Sequence, residues 1–232
     1  MHYSPVMLVI NFIGLFFLTL IFPSGVRGDD SSKYPDIRQI KPGIFKFGQI
    51  KINKTKREIS FSAFCNQTSG LIEYALVNEN GKVHESLFRT SIRPKLIHAT
   101  LLLLEERPTP EFFKDLENDK KNMSKFNPIQ IFSEWEHNGT RKIVEISKMV
   151  LNQTDGRQLA ENSFVFTGSK MIEGFYLAEE DGSIVAVYHD TRATINCMDE
   201  HSDSDDVWVA NHVHMPPKDF PVMIRFHLQR DP

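Results

Sequence analysis

The chain has 232 residues, a net charge of -3 and two cysteines. That balance leaves no electrostatic footprint for nucleic acid, and two cysteines are too few for an all-cysteine iron–sulfur cluster or a four-cysteine zinc site. The part that follows any leader, about 200 residues, suits one domain that buries its own core without staples.

Residues 7–22, MLVINFIGLFFLTLIF, form a largely apolar run. It is short for a membrane span and fits the apolar region of a secretory signal, with small residues for cleavage around Val26-Arg27-Gly28. No Lys or Arg precedes the run, only His2, so an uncleaved N-terminal anchor is the alternative. The expected organisation is a signal peptide over 1–28, a loose polar lead over 29–40 and a single domain over 41–232. Export predicts a periplasmic or extracellular location, with no stable membrane span once the signal is removed.

Ile44 to Ile52 reads as one strand and 53–57 as a charged turn. Glu58 to Cys65 returns as the next strand, with Ile59, Phe61, Ala63 and Cys65 on its apolar face. For Cys65 and Cys197, buried thiols and a bridge are both open. Sequons stand at Asn53, Asn66, Asn122, Asn138 and Asn152, and matter only in a host that glycosylates exported chains.

Gly70 to Pro108 organises the chain. Asn80-Gly81 predicts a type I′ hairpin, because both turn positions need φ > 0. In that register Val77 faces His84, Leu76 faces Glu85 and Tyr74 faces Leu87, which puts Glu85 and Arg89 on the apolar face. A carboxylate there needs a partner, and Arg89, His98 and backbone donors are the expected ones. The next helix starts between Ser91 and Pro94, with Ser91 as a cap. Leu96 to Leu104 is apolar nearly all round, as in a helix buried on more than one side.

A polar surface excursion follows over 108–128. Thr109 is placed to cap a short helix through Leu116. Lys120, Lys121 and Lys125 are interleaved with acids, as in a solvated loop. Asn138-Gly139 predicts a second hairpin over Ile129 to Glu145, with Glu136 facing Arg141 and Trp135 in the core. Ser163 to Ser169 reads as a short strand. Asp181-Gly182 predicts a third hairpin over Phe175 to Val187, and Pro221 to Leu228 the last strand. The fold class expected is α+β: a mostly antiparallel sheet built from hairpins, one buried helix and short accessory helices.

The chemistry-bearing residues form no complete motif. His84, Glu85 and His98 are the candidate catalytic cluster, and Ser86, Arg89, Ser169 and His189 the candidate binding residues. The acidic run from Asp199 to Asp206 lacks the spacing of a calcium loop. His212 and His214 would share one side of a strand and are weak metal candidates without a third ligand. No cofactor is implied, since nucleophile elbow, P-loop and dinucleotide fingerprint are all missing from the sequence.

The runs NENGKVHESLFRT and LIHATLLLLEERP, and later FVFTGS and YLAEEDGSIVAVYHDTRATIN, resemble the YdjY-type family of exported bacterial proteins, in its planctomycete-type members. The resemblance covers roughly Lys41 to Arg225. It implies motif positions at Gly81, His84, Glu85, Ser86, His98, Gly168, Ser169, Asp181, Gly182 and His189, with Asn196 and Cys197 departing from the pattern, and it implies no activity or ligand. The function expected is an exported, non-catalytic binding or interaction module with an exported protein or envelope component as partner. The alternative is a metal-assisted or general acid/base enzyme using His84, Glu85 and His98.

Overall fold

The computed structural model describes residues 34–118 and 125–229. The leader at 1–28, the first part of the polar lead, Lys120, Lys121 and the Asn122 sequon lie outside the described residues.

Four antiparallel strands open the domain: β1 (Ile37–Lys41), β2 (Ile44–Phe47), β3 (Ile50–Asn53) and β4 (Glu58–Cys65). The lead is therefore a strand from Ile37 onward, hydrogen-bonded to β2. The single strand expected over 44–52 is a hairpin, because Gly48 takes the left-handed region at φ 58° and turns the chain. β4 buries Ile59, Phe61, Ala63 and Cys65, as its alternation requires.

Next come β5 (Tyr74–Asn78), β6 (Ser86–Thr90), α1 (Pro94–Leu103) and α2 (Phe112–Asn118). β5 and β6 are not a hairpin. They run parallel, with Tyr74 opposite Ser86 and Leu76 opposite Phe88. The Asn78 side chain takes the Asn80 N–H at 3.1 Å, and its amide donates to the carbonyls of Thr90 and Ile92. A 3₁₀ turn, Val83–Glu85, then carries the chain back to start β6. Glu85 thus sits on that turn and not on a strand opposite Leu76.

The remaining strands are β7 (Pro128–His137), β8 (Thr140–Glu145), β9 (Val150–Asn152), β10 (Phe164–Phe166), β11 (Met171–Ile172), β12 (Phe175–Tyr176), β13 (Ser183–Ala186), β14 (Ile195–Cys197), β15 (Trp208–Ala210) and β16 (Pro221–Leu228). The hairpin β7–β8 forms with Glu136 opposite Arg141, and Asn138 and Gly139 both take positive φ. The Arg141 guanidinium nevertheless pairs with Glu134, at 2.5 Å. The third expected hairpin does not form. Leu177–Asp181 is a short helix, α3, and Gly182 ends it at φ 70°.

Eight strands close on themselves in the order β4, β16, β7, β10, β14, β13, β5, β6, and β6 returns to β4. β4 makes the closure because it is long enough to share one edge. Its first residues pair with β3, and Phe64 and Cys65 pair with β6. The pairs β13–β14 and β5–β6 are parallel and the other barrel pairs antiparallel, so the fold is mostly β with few helices and its core is a mixed barrel. Alternation sends Val222, Ile224, Phe226 and Leu228 inward from β16, and Ile131 and Trp135 inward from β7.

α1 covers one barrel end, the one where β5, β6, β10 and β16 finish. Ile97 and Leu101 join the barrel core, whereas Leu102 and Leu103 face out, so the helix is buried on one side only. Its N-cap is Arg93 and not Ser91, with Pro94 in the first turn. The carboxylate of Glu179 on α3 takes the Lys95 N–H at 3.0 Å, a negative charge on the helix's positive end. Thr109 does not cap α2 with its side chain; its hydroxyl donates to the Phe166 carbonyl at 3.0 Å. At the other barrel end the ribbon β9–β15 brings Val150 and Trp208 into the core. Cys65 and Cys197 are buried, unpaired thiols, both pushed up to about 12, chiefly by burial.

Candidate functional site

The residues expected to carry chemistry do not meet at one point. His84 is exposed, and its Nε2 lies 2.7 Å from Glu85 Oε1. His98 is on α1, where Nδ1 meets the Tyr176 hydroxyl at 3.0 Å and the ring packs edge-on against Phe166 and Tyr176. Burial lowers its pKa, partly opposed by a bond to the Gly168 backbone. His98 therefore shares no partner with His84 and Glu85. Arg89 holds Asp219 at 2.8 Å and Asn66 at 3.1 Å, and it is not the partner of Glu85. The guanidinium points to those groups because the parallel pairing of β6 removes the register that placed it beside Glu85.

Ser86 and Ser169 are fastened to backbone. Ser86 donates to the Val83 carbonyl at 3.1 Å. Ser169 donates to the Arg192 carbonyl at 2.6 Å and accepts the Ala178 N–H, which fixes the start of α3. The His189 ring packs against Phe112, and the His189 backbone N–H donates to the Ser202 carbonyl. His212 and His214 lie on a 3₁₀ turn and not on a strand, so their side chains diverge. No group of three His, Cys, Asp or Glu fit to hold a metal ion occurs among the described residues. Asp199 in the acidic loop is bridged by both ends of Arg157 at 2.8 Å. Burial raises its pKa, and the bonds from Arg157 and His201 overcome that and lower it.

A polar network lies on the outer face of β5. The Tyr74 hydroxyl receives the Lys82 ammonium at 2.6 Å and donates to Asp190 Oδ2 at 2.9 Å, with the Tyr188 hydroxyl at 3.0 Å. A hydroxyl has one proton and two lone pairs, so all three partners are used. Burial first, then the Asp190 charge, raises the Tyr74 pKa. Asn196 pins the loop beneath by accepting the Asp190 N–H and donating to Thr167 and to the Asp190 carbonyl. Beside the network Glu73 meets Glu85. Burial, then the hydrogen bond and charge of Glu85, push Glu73 up to about 7. No sequence pattern marked Glu73.

A sizeable cleft was also missed. It measures about 710 Å³ and opens beside the C-terminal end of α1. Lys54, Arg57, Arg107 and Lys125 line it, against Glu105 and Glu106, over a floor that includes Leu104, Val165 and Phe166. Arg57 is held in place: it donates to the Leu104 carbonyl at 2.6 Å and to Glu106 at 2.9 Å. One of α1's open carbonyls is satisfied that way. Lys125 pairs with Asp115 at 2.9 Å. Among the described residues, no carboxylate pairs with Lys54 or Arg107. The only signal in the sequence was charge at 53–57 and 105–107, which becomes a cleft only when α1 spans the barrel end.

These features define a mostly β module: a closed mixed barrel, capped by one helix, with a cation-lined cleft beside that helix. The YdjY domain model matches residues 50–227, and the chain belongs to the YdjY domain family. No curated protein and no solved structure matches it. No helix among the described residues is long and apolar enough to cross a membrane.

Proposed function

We propose that this chain is an exported binding module that takes a negatively charged ligand in the cleft beside α1. The cleft's charge carries this reading. Two of its four cations are occupied by their own acids, and among the described residues Lys54 and Arg107 have no acid partner and are placed to meet a ligand. Four cations against the two acids Glu105 and Glu106 leave the lining net positive, which draws anions, and the planar fork of Arg suits carboxylate or phosphate. The apolar run at 7–22 supports export, which makes an exported protein or envelope component the source of the ligand.

Calorimetric melting at low ionic strength, with inorganic pyrophosphate as the probe, tests the cleft. The Tm should climb with pyrophosphate, as it does for any ligand that binds only the folded state. Lys54→Glu and Arg107→Glu should each remove most of that climb. A climb undiminished in the double variant, or none in the parent, overturns the reading.

A second reading, a general acid/base enzyme, is favoured by Glu73. Its carboxyl, raised to about 7, lies next to Glu85 and the exposed His84, and a group that ionises near neutrality suits proton transfer. His98 has no part in that version.

A further inference from the structure

A second, apolar pocket adjoins the cationic cleft, and the two share Lys54 and Leu104. It measures about 180 Å³, and Ile37, Phe45, Ile52 and Leu103 complete its lining. It lies where the β1–β3 extension meets the C-terminal end of α1. Two of its lining residues open to solvent as apolar surface: Ile37 is 49% exposed and Leu103 43%. Single exposed apolar side chains need no explanation, but a group of them continuous with a pocket marks a binding surface. Lys54 suits the seam between the two spaces, since a lysine lays its methylene stem along apolar surface and keeps its ammonium in the polar side.

Resting on the reading of the cleft as an anion site, we infer that the ligand is a single-chain anionic amphiphile. Its carboxylate or phosphate head would sit between Lys54 and Arg107, and the first part of its alkyl chain in the pocket between β1–β3 and α1. The pocket is below the size range of sites that enclose a whole drug-sized molecule, so it holds a few methylenes. The rest of the chain runs over the exposed sides of Ile37 and Leu103. A single molecule fits better than a bilayer surface because the apolar contact is concave and leads directly into the charged cleft.

Isothermal titration of the protein with inorganic phosphate, butyl phosphate and octyl phosphate, each below micelle formation, tests this. Octyl glucoside serves as the uncharged counterpart. Affinity should rise with each added methylene between butyl and octyl phosphate, by less than the roughly fourfold step of a fully buried methylene. Leu103→Gln, a neutral change at an exposed position, should weaken that dependence far more than it changes the binding of inorganic phosphate. Ile37→Gln should act the same way, which guards against one variant's misfolding. Arg107→Glu should weaken all the phosphates alike. If inorganic phosphate binds as tightly as octyl phosphate, the amphiphile is overturned and the anion cleft stands. If octyl glucoside binds as tightly as octyl phosphate, the anionic head and the cleft reading both fall. No binding by any phosphate has the same consequence. Binding to anionic phospholipid vesicles without binding of octyl phosphate overturns the single-molecule ligand in favour of a bilayer surface.

Discussion

Gly81 and Gly182 meet back to back, and alanine at Gly81 tests whether the crossover from β5 to β6 packs against the end of α3. A Cβ on Gly81 would stand 2.6 Å from the Asp181 carbonyl oxygen, 2.9 Å from Gly182 Cα and 3.2 Å from the Asn78 carbonyl oxygen. All three are backbone atoms that no rotamer change can clear. Ordinary contact starts at 3.4 Å, so the closest of them must retreat by about 0.8 Å. Two hydrogen bonds run through the same point, Asn78 N–H to the Gly182 carbonyl and Gly81 N–H to the Asn78 carbonyl, each 2.8 Å. Overpacking costs ~1–3 kcal/mol, and a lost backbone bond adds ~1 kcal/mol. Gly81→Ala should therefore lose about 2–4 kcal/mol, or roughly 4–16 °C in Tm for a domain of this size. Gly139→Ala is the control. Its φ is 72° but nothing lies within 4 Å of its Cβ, so only left-handed strain of ~1–2 kcal/mol applies. Urea midpoints at unchanged m compare the two. A Gly81→Ala shift no larger than that of Gly139→Ala refutes the contact.

Tyr74→Phe should cost ~1–3 kcal/mol, because Lys82, Tyr188 and Asp190 all lose their shared hydroxyl in a buried setting; a urea midpoint equal to the parent's would sink the network as a stabilising element. Glu73 gives a pH signature. Its carboxyl is pushed up to about 7 from an ordinary 4.5, so the fold favours the protonated form. That contribution is complete below about 4.5 and is lost as pH rises through about 7. Tm should decline over that window in the parent, and Glu73→Gln should flatten the decline; an identical pH slope in the two proteins disproves the assignment.

Local pattern was enough wherever one strand and one turn decide the outcome. The alternation in Glu58–Cys65 and Pro221–Leu228 placed their inward residues. Asn138-Gly139 made the turn its sequence calls for, since nothing packs against it and the intrinsic preference prevails. The same dipeptide chemistry at Asn80-Gly81 and Asp181-Gly182 misled, because their small size serves a different end. Having no side chain lets two segments about a hundred residues apart come into backbone contact, and that contact cannot be seen in either segment alone. The candidate cluster dissolved for the same reason. His84 and His98 are close in sequence, yet the parallel crossover leaves His84 with Glu85 and carries His98 onto α1 against Tyr176.

By itself, the sequence determined that strands build the core, the buried faces of the long strands and the family to which the chain belongs, while the α+β class it suggested gave more weight to helices than the mostly β fold has. Each of these is written in short-range periodicity or in the order of short words. Tertiary structure alone decided the closure of the barrel, the two parallel pairs and the cleft. Closure depends on β4 sharing one edge between β3 and β6, a choice made by competing strands and not by β4's own residues. The cleft draws on Lys54, Arg107 and Lys125, which have no local relation to one another. They become one charged surface only because α1 lies across the barrel end and brings its last turn to the start of β4.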